Sequence, residues 1–137
     1  MKSKTMIPAL FVIAAIYDGV LGLAFLFAPV AIFNRFDVEV PNHWAYVHFP
    51  AALLLVFTLM FLEIARRPSE NRNLIPFGCL LKVSYCGVAL SHWFTGGIPN
   101  MWKPFVVFDL FFLVLFLAAF QALGKKKQSE ALTDADA

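Results

Sequence analysis

Long apolar stretches alternate with short polar gaps along this chain. The apolar stretches cover residues 7–33, 44–65, 74–95 and 104–123. About 20 apolar residues in a helix cross the ~30 Å hydrocarbon layer of a bilayer, and a helix satisfies its backbone polar groups internally, as lipid requires. The pattern therefore predicts four transmembrane helices. Three of the stretches carry an ionisable residue well inside: Asp18, Lys82 and Asp109. Charge at bilayer depth is costly and marks either a partner or a function.

Local signals refine the four spans. Pro8 suits a first helical turn, and the first span should end near Pro29. Ala14, Asp18 and Gly22 are four residues apart and share a face. Small residues at that spacing allow close helix approach, so this face is expected to meet span three. In span three, Lys82, Tyr85, Ala89 and His92 follow one another at helical spacing and form a polar stripe, which Gly78 extends inward. Trp44, Trp93 and Trp102 fall at one set of span ends, as an interfacial aromatic belt would. The segment 125–137 is polar and reads as a disordered tail, leaving 1–124 as the membrane domain.

Composition agrees with this layout. Hydrophobic residues make up 61% of the 137 and charged residues only 15%, against a usual apolar share of ~45–50%, and the length suits one domain. The distribution of charge adds an orientation. Of 11 Lys and Arg, eight (Lys2, Lys4, Arg66, Arg67, Arg72, Lys125, Lys126 and Lys127) lie on one side of a four-pass thread, and Arg35 and Lys103 lie on the other. The positive-inside rule then puts both termini in the cytoplasm. These clusters are juxtamembrane, so no nucleic-acid partner is expected. The lysine triplet also suits anionic lipid head groups. The first span is too long for a cleaved signal peptide and contains Asp18, so it is expected to be retained. Cys79 and Cys86 lie two helical turns apart, too far for a disulfide within one helix, and read as packing residues.

Two polar constellations follow. Asp18 is eleven residues into its span and Lys82 eight into its own. With a rise of ~1.5 Å per residue their depths differ by only ~5 Å, which a lysine side chain covers. They are expected to form a buried ion pair, or a proton or substrate site lined by Tyr17 and Tyr85. The second set is His48, His92 and Asp109, with His43 above them, at similar depth below the outer ends of spans two, three and four. It reads as interfacial histidines hydrogen-bonded to Asp109, as a pocket for a quinone-like or lipid head group, or as ligands for a metal or haem. No hydrolase, phosphate-loop or paired-carboxylate signature accompanies either set, so a non-enzymatic role is the first expectation.

Tyr17-Asp18-Gly19 with Gly22, the Phe27-Ala28-Pro29 end of the first span, and the opening of the fourth from Pro104 through Asp109 resemble the small bacterial four-helix membrane proteins of the DoxX-like kind. The likeness covers 7–123. It implies a bacterial inner-membrane location and, through some members, an association with quinone-linked redox complexes. The sequence thus predicts an all-α, antiparallel four-helix transmembrane bundle with N- and C-termini cytoplasmic. Three roles are open to it: an accessory or structural subunit with a polar interior pocket, a ligand- or quinone-binding redox-linked protein using His48, His92 and Asp109, or a small proton-coupled carrier using Asp18 and Lys82. Partners would be the lipid bilayer and either a second copy or a membrane complex.

Overall fold

A computed structural model describes residues 3–137, without the side chain of Ser3. Lys2, one of the basic residues counted above, lies outside the described residues. Those described form helices and turns with no strand. The helices are α1 (Ser3–Phe27), α2 (Pro29–Arg35), α3 (Ala45–Arg66), α4 (Ile75–Thr95) and α5 (Lys103–Asp136), with 3₁₀ turns at Arg72–Leu74 and Asn100–Trp102. Four of them, α1, α3, α4 and α5, are long and apolar enough to cross a membrane.

The first apolar stretch is not one helix. Its backbone breaks at Ala28, ahead of Pro29, which has no N–H to continue the ladder. The short α2 then carries Phe33 back against Phe25 and Trp44. At the other end of the chain α5 runs on to Asp136. The tail expected to be disordered from residue 125 is therefore helical. It is rich in helix formers and brings Lys126 within 4.0 Å of Glu130, one turn on.

Helix α1 packs chiefly on α3, and α4 chiefly on α5. Glycine permits the first pairing. A Cβ on Gly22 would stand 2.9 Å from the Ala51 carbonyl oxygen, and one on Gly19 3.2 Å from Thr58. The small face of span one is thus shared: Gly22 meets α3, while Asp18 on the same face reaches Lys82 of span three. The close backbone approach is to the next helix in sequence, and the hydrogen bonds from α1 to α4 run between the Asp18 and Lys82 side chains.

One end of the molecule, called the lower half here, has a single core. Ile7, Ile64, Ile75 and Leu123 share it with Phe11, Phe61 and Phe116. The rings of Phe11 and Phe116 stack at 4.8 Å, and Phe61 lies 5.2 Å from Phe116. Arg72 closes this end: its Nε donates to the Phe120 carbonyl at 2.8 Å and its guanidinium lies over the Phe120 ring. The upper half instead holds two separate small cores. One gathers Phe25, Phe33, Ala51 and Met101. The other gathers Cys86, Ala89 and Val106. Both cysteines are free and buried. Trp44 and Trp102 pack against the first upper core, while Trp93 lies under the Lys103 ammonium.

Candidate functional site

The boundary between the two halves is an ionic cluster. Lys82 of α4 is fully buried, and its ammonium donates to both carboxylate oxygens of Asp18 on α1 and to Oδ1 of Asp109 on α5, each at 3.0 Å. Three aromatic rings surround the ammonium: Tyr17, Phe61 and Phe112. A buried charge without partners costs several kcal/mol, and pairing offsets that cost without making the cluster a strong source of stability. Two carboxylates face one ammonium. Asp18 has both oxygens engaged and its side chain is 2% exposed, whereas Asp109 commits only Oδ1 and is 10% exposed.

Above the cluster lies a cavity of ≈ 370 Å³. Asp18, Asp109 and Tyr17 line its floor, Phe57 and Leu54 one wall, and Trp102 and Phe105 another. Apart from the floor and Ser84 the lining is apolar or aromatic. The Tyr17 hydroxyl is buried and has no hydrogen-bond partner among the described residues. Tyr46 and Leu53 of α3 and Ser84 of α4 also line the cavity, and all three are exposed. They mark a mouth between α3 and α4, a pair that touches only lightly.

The expected contact of Asp18 with Lys82 is present. Tyr17 lies beside it, and Tyr85 lines the same cavity while donating its hydroxyl to the Trp102 carbonyl at 2.8 Å. The second expected constellation is not assembled. Asp109 is held by Lys82 rather than by histidine. His48 is half-buried on α3, and His92 is exposed near the end of α4. His43 is exposed ahead of α3, where its Nδ1 accepts the Ala45 N–H at 3.1 Å. Among the described residues no three His, Cys, Asp or Glu side chains gather as a metal site.

The physical reason lies in the turn between α4 and α5. Counting residues from the ends of the apolar stretches assumes that all helix ends share one plane. The Tyr85–Trp102 hydrogen bond puts the start of α5 level with Tyr85, well below the end of α4 at Thr95. Gly96 and Gly97 let the chain fold back: both N–H groups bond the His92 carbonyl, and Gly97 has φ +83°, a conformation that favours glycine. Asp109 is thereby lowered to Lys82, and the Cys86 thiol, one turn above Lys82, reaches the Val106 carbonyl.

No protein-family model, no curated protein and no solved structure matches this chain.

Proposed function

We propose that the chain is an integral membrane protein that holds a lipophilic small molecule in the cavity above Asp18, Lys82 and Asp109. On this reading it is an antiparallel four-helix bundle with both termini cytoplasmic. Two observations support that layout: the starts of α1 and α4 share a core with the end of α3, and most basic residues fall at that same end. A bacterial inner membrane and kinship with the DoxX-like proteins belong to the same proposal and rest on the layout of residues 7–123 alone.

One observation carries the ligand reading: an apolar, aromatic cavity ends on a carboxylate whose second oxygen is uncommitted. Ligand sites combine a mainly apolar lining with a few convergent polar groups. The ligand this floor fits has an aromatic or alicyclic body and a hydrogen-bond-donating head, a reduced quinone being one such chemistry. The lateral mouth suits entry from lipid. An accessory-subunit role, which leads from the sequence alone, makes no use of the cavity or its charged floor, so the ligand reading stands ahead of it.

The test is native mass spectrometry of protein extracted from its own membranes in mild detergent. The wild type should retain a small lipophilic molecule. Leu54→Trp, which fills the cavity, should release it while the protein stays folded. Wild-type protein that is always empty, or a molecule retained equally by Leu54→Trp, ends the ligand reading.

A further inference from the structure

Two cavities meet at one wall. The second is a groove of ≈ 360 Å³ at the upper end, lined by Val88, His92, Gly97 and Pro99. Tyr85 and Trp102 line both this groove and the deep cavity. These two shared wall residues are tied to each other by a hydrogen bond of 2.8 Å. It joins a single tyrosine hydroxyl to a single carbonyl, and that carbonyl sits in the short 3₁₀ turn just after Gly97 and Pro99. Below the cluster the rings of Phe61, Phe112 and Phe116 close the lower half.

Charge counting says what would use this path. With every group ionised, Asp18, Lys82 and Asp109 together carry one net negative charge, and one proton makes them neutral. The groups around Asp109 are Lys82, Tyr85 and Cys86 on α4 and Asp18 and Tyr17 on α1. The part of α3 that lines the cavity contributes no charged side chain. Asp109 is the member with an uncommitted oxygen and the more exposed carboxylate.

We infer that Asp109 is a proton-exchange site served from the Gly96–Gly97 end of the molecule through the upper groove, and that the Tyr85–Trp102 contact closes the route. In the loading step hydronium gives its proton to Asp109 Oδ2, an O–H bond forms, and water is left in the groove. Unloading is the reverse. No redox partner is involved, and no lipophilic ligand is needed, so the site stands or falls separately from the ligand reading.

The experiment is infrared difference spectroscopy on the full chain, reconstituted in one orientation in vesicles, with pH stepped on one side at a time. The wild type should show a protonated-carboxyl C=O band that follows the pH on the Gly96–Gly97 side, and Asp109→Asn should lose it. Tyr85→Phe removes the Tyr85–Trp102 hydrogen bond and should speed the response by up to roughly tenfold, the equilibrium worth of one neutral hydrogen bond. If Asp109→Asn does not fold, Asp109→Glu keeps a carboxyl and should move the band's frequency. A band unchanged in Asp109→Asn, unmoved in Asp109→Glu, or following the pH on the side of the chain termini overturns the inference. So does a response whose rate is the same in Tyr85→Phe as in the wild type.

Discussion

Below Lys82 the long helices share one aromatic core, while above it the same helices hold two small cores with a cavity of ≈ 370 Å³ between them. The two halves use similar residues. Phenylalanine fills the lower half at ring separations of 4.8 and 5.2 Å, yet Phe25, Phe57 and Phe105 leave the upper space unfilled. The difference lies in what separates helices rather than in hydrophobicity. The glycine contact of α1 with α3 and the fold-back of α5 onto α4 draw each pair together, and the pairs stay apart where Tyr46, Leu53 and Ser84 open the mouth. The lower half behaves as a plug, and the upper half as a chamber.

The largest expected effect is at the boundary itself. Lys82→Met leaves two buried carboxylates without their cation and should cost about 3–5 kcal/mol, the usual loss on breaking a buried ion pair from one side. Adding Asp18→Asn and Asp109→Asn to the same protein should recover most of that loss. Unfolding curves in detergent compare the two variants, and a triple variant no better than Lys82→Met would mean that charge is not what the boundary depends on.

The next effect separates plug from chamber. Phe116→Ala removes a fully buried ring and should cost about 3–5 kcal/mol. Phe105→Ala, at the cavity wall, should cost about 1–2 kcal/mol, because part of its surface already faces open space. Equal losses would erase the distinction between the halves.

A finer version uses one substitution twice on α4. A Cβ on Gly78 would stand 2.8 Å from the Phe61 ring, while one on Gly87 would meet nothing within 4 Å. Gly78→Ala should destabilise by about 1–3 kcal/mol through overpacking. Gly87→Ala should stabilise by about 0.5–1 kcal/mol through the helix preference of alanine. An effect of similar small size but opposite sign is expected for Arg72→Ala, which gives up one hydrogen bond and a ring contact at a cost of about 1 kcal/mol and leaves the chamber untouched. Thermal melts of all three against the wild type give the order.

The four apolar helices are legible in the sequence because apolar runs of about 20 residues leave few alternatives to a long helix. The meeting of Asp18 and Lys82 was legible because a long flexible side chain forgives an error of a few ångströms in depth. Asp109 was misplaced among the histidines because its depth depends on the turn after α4, and nothing in an apolar profile reports that Gly96 and Gly97 reverse the chain so sharply. The small face of α1 is legible as a contact face, but its glycines meet α3 while Asp18 meets α4, since spacing identifies a face and not all of its partners. Tyr46, Ser84 and Trp102 carried no sequence signal as cavity residues. They line it because two helix pairs fail to close, which is a property of the assembly.

On the proposed membrane reading, the position of Lys82 in the chain has a consequence for biogenesis. Helix α4 is the least apolar of the four candidate spans, and a lysine at depth resists insertion. Synthesis delivers Asp18 before Lys82 and Asp109 after it, so the ammonium leaves the ribosome with one counter-charge already laid down and the other still to be translated. The aspartate of α1 thus serves as the early escort for a reluctant segment, and the aspartate of α5 arrives last to complete its coordination.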